Sequence, residues 1–117
     1  MTTRKPVASP KPRGAAVRGS RSGKPIMALL DLLGRRWAMR VLWELRESRL
    51  SFRGLQQACG GVSPAVLNER LHELREGCLV ELADGEGYGL SAQGRELLKR
   101  FLPMVDWAER WAKSLPK

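Results

Sequence analysis

At 117 residues and 43% hydrophobic side chains, the chain is long enough for one modest domain with a buried core and too short for two. No apolar run approaches the roughly 18 residues that cross a bilayer, and no apolar stretch follows the basic N-terminus, so neither a spanning helix nor a signal peptide is expected. Two cysteines and one histidine match neither a disulfide framework nor a zinc cluster, which points to a reducing cytoplasm and no bound metal.

The net charge of +9 is unevenly placed. Residues 1–24 hold seven basic side chains (Arg4, Lys5, Lys11, Arg13, Arg18, Arg21, Lys24) and no acid, leaving the rest of the chain a surplus of only two. The same stretch carries Pro6, Pro10, Pro12, Gly14, Gly19 and Gly23 and little to bury. It is expected to be a disordered basic tail (1–24) ahead of a folded domain over 25–117. A flexible polycation condenses on polyanions and releases their counterions, so nucleic acid is its natural partner. A merely solvated leader accounts for the composition equally well.

From Pro25 the elements follow in order. "PIMALLDLLG" spaces Ile26, Leu29, Leu30 and Leu33 along one helix face, with Pro25 suited to a first turn and Gly34 to a stop. "RRWAMRVLWELRE" predicts a second helix that Arg35 and Arg36 begin, with Trp37, Val41, Leu42 and Leu45 on one face and an Arg40–Glu44 pair on another. A turn or very short strand around Leu50–Ser51 leads into a short helix from Phe52 to about Cys59, which Gly60 and Gly61 end.

Ser63 as N-cap and Pro64 at the first position open the next helix, and Gly77 closes it. At roughly 100° per residue, Leu67, Leu71 and Leu74 cluster within about 60°. Ala65, Asn68, Glu69, His72 and Arg75 spread over the far side. Two helices joined by a tight glycine-containing turn outline a helix-turn-helix. "CLVELADGEGYGLS" alternates, turns on Asp84 to Gly87 and returns, which reads as a small β-hairpin. Ser91 then caps a last helix bearing Leu97, Leu98, Phe101, Leu102, Val105, Ala108, Trp111, Ala112 and Leu115, which Pro103 should kink or split. The chain is therefore expected to be mainly α with a small β-hairpin: a winged helix-turn-helix with helical extensions at both ends.

"LLGRRW" (32–37), "SFRGLQQ" (51–57), "GVSPAVLNERLHELREGCLV" (61–80) and "YGLSAQGREL" (88–97) occur in this order and spacing. Through them the chain, from about Lys24 to Trp111, resembles the HxlR-type winged-helix transcriptional regulators. The resemblance implies a homodimeric DNA-binding repressor or activator whose terminal helices form the dimer. Two departures stand out. Many relatives carry a cysteine directly before the proline that opens the first helix, and the redox-sensing members use it; here that position is Lys24. The wing, "ADGEG", is short and acidic where relatives usually have a longer one that is often basic, so the tail is a second candidate for backbone affinity.

The outer face of the helix over 63–76 suits reading of base edges. Asn68 can pair with adenine, Arg75 with guanine, and His72 with a base or a phosphate. Glu69 needs a cytosine amino group or a nearby arginine, since phosphate repels it. Ser63, Pro64 and Ala65 stand at the end that enters the groove first. Arg53, and less distinctly Arg36 with Arg35, lie near helix starts, where basic groups and free N–H groups meet phosphate. An ordinary solvated face is the competing reading of all of these. It loses ground because a helix and tight turn precede this one and a hairpin follows.

Ile26, Leu29 and Leu30 on the first helix, with Leu102, Val105, Trp107 and Trp111 on the last, exceed what so small a domain can bury alone. They are the expected dimer interface. Cys59 reads as a small core residue, and Cys78 as a partly exposed thiol with no neighbour to activate it.

The leading function is sequence-specific binding of double-stranded DNA by a homodimeric transcriptional regulator in the cytoplasm, on the nucleoid, with no cofactor and no membrane partner. A small-molecule effector stays open, since no residue argues for a pocket. An architectural DNA-binding protein dominated by the tail is the alternative, and a winged-helix module for protein–protein contact is another. An enzyme is the weakest reading, because no phosphate-binding loop, metal set or nucleophile–base pair is suggested by spacing.

Overall fold

The computed structural model describes residues 23–116, so the expected tail lies outside the described residues apart from Gly23 and Lys24. In chain order the elements are α1 (Pro25–Leu33), α2 (Ala38–Glu44), α3 (Phe52–Cys59), α4 (Pro64–Glu76), β1 (Val80–Ala83), β2 (Gly87–Leu90) and α5 (Ala92–Ser114). They belong to two compact units, one ending at Gly34 and one beginning at Arg35.

In the first unit, α1 opens with Pro25 and ends where the Gly34 N–H donates to the Leu30 carbonyl at 2.8 Å. No α1 residue is buried, and Ile26 and Leu30 are among the exposed large hydrophobics.

In the second unit the core forms where the apolar faces of four helices meet the base of the hairpin. Val41 and Leu42 of α2, Leu55 of α3, Leu67, Leu71 and Leu74 of α4, and Leu98 of α5 are buried, with Val80 and Leu90 beneath them in the sheet. Strands β1 and β2 are antiparallel, with Val80 opposite Leu90 and Ala83 opposite Gly87. Leu50 adds a third, one-residue rung: its N–H donates to the Tyr88 carbonyl at 2.9 Å and its carbonyl accepts from the Tyr88 N–H at 2.8 Å. This fulfils the expectation of a very short strand at Leu50. The rung also explains Gly87, whose φ is +78° and whose missing Cβ would lie 2.5 Å from the Leu50 carbonyl oxygen.

Two expectations are corrected. The second helix begins at Ala38, not at Arg35, because Trp37 adopts a left-handed φ of +78° that no right-handed helix can run through. Arg35 to Trp37 form a turn, closed by the Ala38 N–H on the Arg35 carbonyl at 3.0 Å. Pro103 does not split the last helix: α5 runs unbroken through it, and the missing N–H leaves only the Lys99 carbonyl unfilled on an exposed stretch. Gly77 closes α4 as expected, at φ −79°, and the left-handed residue is the next one, Cys78, at φ +62°.

Candidate nucleic-acid interface

Helix α4 is defined sharply at both ends. The Ser63 hydroxyl accepts the Val66 N–H at 3.2 Å, and Pro64 needs no donor in the first turn. At the other end the Leu79 N–H reaches back to the Leu74 carbonyl at 2.9 Å and the Cys78 N–H to that of Arg75 at 3.0 Å. This paired closure is the Schellman arrangement, with Leu79 tucked against the core. Leu67, Leu71 and Leu74 are buried as the spacing predicts, which leaves Ala65, Asn68, Glu69, His72 and Arg75 exposed on the other side.

The exposed side chains fall into two sets. Asn68 and Arg75 have no side-chain hydrogen bond or ion pair among the described residues. Arg53 has none either, on the first turn of α3, where the Ser51 hydroxyl caps the Gly54 N–H at 3.0 Å. These three are available to a ligand. Glu69 is engaged within the protein, and His72 stands near a carboxylate with most of its ring exposed. His72 Nε2 lies 3.4 Å from Glu76 Oε2, one turn along. Glu69 Oε1 stands 3.1 Å from an Arg70 amino nitrogen and 4.0 Å from one of Arg35, which is the nearby-arginine option for this residue.

Arg70 was not among the sequence candidates. It is the one charged residue buried among the described residues, 8% exposed. Its Nε donates to the Arg36 carbonyl at 2.8 Å, and its Nη1 donates to Glu69 and Glu73, each at 3.1 Å. The signal was present: at about 100° per residue, Arg70 falls roughly 40° from Leu74, on the inward side of α4. Arg36 does not start a helix. Its side chain lies 5.8 Å from the Trp37 ring centroid, and its carbonyl holds Arg70.

The wing is acidic at Glu81, Asp84 and Glu86, yet Arg49 offsets part of that charge from below. Arg49 donates to the Gly87 carbonyl at 2.8 Å and stands 3.3 Å from Glu81 and 3.8 Å from Glu86. On α5, Leu102, Val105, Trp107 and Trp111 are exposed, with the two indoles stacked at 6.0 Å and 8° between planes. Trp43, Leu102, Pro103, Val105, Asp106 and Arg110 border an open groove of about 550 Å³. Among the described residues no cluster of His, Cys, Asp or Glu is arranged to hold a metal, and no helix is long and apolar enough to cross a membrane.

A family model described as HxlR-like helix-turn-helix matches residues 32–115. The chain belongs to the HxlR family. It is 30% identical over 96 residues to an uncharacterized HTH-type transcriptional regulator of Methanocaldococcus jannaschii, covering 78% of this chain and 90% of that one. Among solved structures, the quinone-bound YodB of B. subtilis superposes with a TM-score of 0.68 at 30% identity, over 74% of this chain and 98% of that one. A possible HxlR family transcriptional factor of Thermoplasma volcanium shares the fold with a TM-score of 0.68 at 23% identity, covering 78% and 87% of the two chains. The protein is thus a helix-turn-helix transcriptional regulator of the HxlR family, with the winged-helix fold expected from its sequence.

Proposed function

We propose that this HxlR-family protein acts as a homodimer that reads specific sequences in double-stranded DNA by laying α4 in the major groove. The observation that carries the reading is the pair of unengaged side chains, Asn68 and Arg75, on the exposed face of a helix whose two ends and inner face are fixed. Asn68 suits adenine, and Arg75 suits guanine O6 and N7. Ser63, Pro64 and Ala65 lead the helix into the groove, His72 adds a base or phosphate contact, and Arg53 meets the backbone where α3 crosses it. Glu69, already paired with Arg70 and Arg35, shapes the face instead of reading a base.

Ile26, Leu29 and Leu30 on α1, with Leu102, Val105, Trp107 and Trp111 on α5, supply the apolar surface of the dimer. Its two-fold axis sets half-sites about 34 Å apart. The compartment is the cytoplasm, on the chromosome.

The test is to incubate the full chain with fragmented genomic DNA at about 150 mM salt, near physiological ionic strength, and sequence what is retained. A few strongly enriched inverted repeats are expected. Uniform recovery would move the protein to an architectural role, and no recovery would move it to protein–protein contact.

A further inference from the structure

Three consecutive residues, Arg35, Arg36 and Trp37, each touch α4 or the turn just before it. The Arg35 guanidinium stands 3.3 Å from Glu73 and 4.0 Å from Glu69. The Arg36 carbonyl accepts from Arg70 Nε at 2.8 Å. The tip of the Trp37 indole lies 3.9 Å from where a Cβ on Gly61 would be, in the turn that separates α3 from α4. One short turn therefore grips the helix at its approach and again at mid-length. The backbone of that turn is bent into the left-handed region at Trp37, a conformation that persists only where its surroundings hold it.

We propose that the Arg35–Trp37 turn is a clamp that sets the angle of α4 against DNA, and that Arg70 is its positioning residue. The proposal rests on reading α4 as the recognition helix. Arg70 is suited to the role because Glu69 and Glu73, on α4 itself, hold its fork at Nη1 while its Nε donates to the Arg36 carbonyl of the turn. A translation or a roll of α4 against the turn strains the Nε bond and the contacts of Arg35 with the same two carboxylates. Lysine keeps the charge but has no planar fork to match them. The two arginines and two glutamates also cancel one another, so the carboxylates beside the reading face repel phosphate less.

The test uses the full chain with Arg70→Lys, Glu73→Gln and, as a control, Asn68→Ala. Two quantities are read: the indole N–H resonance of Trp37 without DNA, assigned by Trp37→Phe, and the affinities for an enriched and a random duplex of equal length. Arg70→Lys is expected to move the Trp37 resonance and to lower discrimination about tenfold, the loss of one base contact. Its random-duplex affinity and helix content should hold, because its charge is unchanged. Glu73→Gln should move both readouts less and in the same direction, and it serves if Arg70→Lys does not fold. Asn68→Ala should lower discrimination with Trp37 unmoved. An unshifted Trp37 with discrimination intact in Arg70→Lys overturns the clamp, as does an equal loss of both affinities together with helix content. If the parent chain does not discriminate while Trp37 still shifts, the reading of α4 as a recognition helix fails and takes the role toward DNA with it, leaving only a turn that holds α4 in the folded protein.

Discussion

At the scale of single residues, Cys78 is the position where the chemistry of the side chain and the shape of the backbone disagree. It occupies the left-handed site of the α4 closure, which glycine fills most readily, at φ +62°. Cys78→Gly is expected to stabilise the protein by about 0.5–1 kcal/mol, seen as a higher urea midpoint with an unchanged slope. No increase would mean that the closure holds cysteine without strain. The two thiols should also separate in labelling: Cys78 is exposed and reacts in the native protein, whereas Cys59 is buried and reacts only as the protein opens. Burial pushes the Cys59 thiol above its ordinary value, with Arg40 opposing and Glu44 reinforcing the shift. The unfolded chain therefore loses this proton first. The stability linked to Cys59 is fully present below the ordinary thiol value of about 8.5 and is lost as pH rises through the folded value. Denaturation followed from neutral to alkaline pH should show that decline, and Cys59→Ala should flatten it.

Among the elements, the helix starts were the most legible part of the sequence, because a cap is a local device. Ser51, Ser63 and Ser91 each accept the N–H three residues ahead, at 3.0, 3.2 and 3.0 Å. Ser63→Ala should cost about 1 kcal/mol of stability. Ser91→Ala should cost more, about 2 kcal/mol, because the Ser91 hydroxyl also donates to the Cys78 carbonyl at 2.6 Å. Equal losses in the two melting curves would show that this second bond contributes nothing. The turn at Arg35–Trp37 was not legible, since Trp37, Val41 and Leu45 continue a helical spacing without interruption. The turn's partner lies far along the chain: the bond from Arg70 to the Arg36 carbonyl spans 34 positions.

Gly94 is a readable hint, since a glycine stands in a first turn where alanine would be favoured by about 1 kcal/mol. A Cβ at Gly94 would collide with the Leu79 carbonyl oxygen, so α5 sits close over the start of the hairpin. Gly94→Ala should therefore destabilise by about 1–3 kcal/mol, in spite of its better helix propensity. A stabilised variant would show that α5 moves away at little cost.

For the molecule as a whole, the apolar excess of the terminal helices was plain in the sequence, and those side chains stand exposed in a single chain, apart from Leu29, which is half-buried. Ile26, Leu102, Trp107 and Trp111 are each at least half exposed. Sedimentation of the full chain should give a dimer, and a Val105→Lys, Trp111→Lys double variant should give a monomer of unchanged helix content. A parent chain that sediments as a monomer would leave that face to another partner. The reading face was only partly legible. The spacing placed Asn68, His72 and Arg75 outward, but it could not reveal which outward charges were already taken, because that depends on residues brought together only by folding.

The stacked indoles of Trp107 and Trp111 have an optical consequence. At 6.0 Å and nearly parallel, the two rings are close enough for excitation to pass from one to the other. The last turns of α5 thus carry a natural dye pair on an exposed surface. A partner that settles over it should change the emission of this pair against that of Trp37 and Trp43, with no label attached.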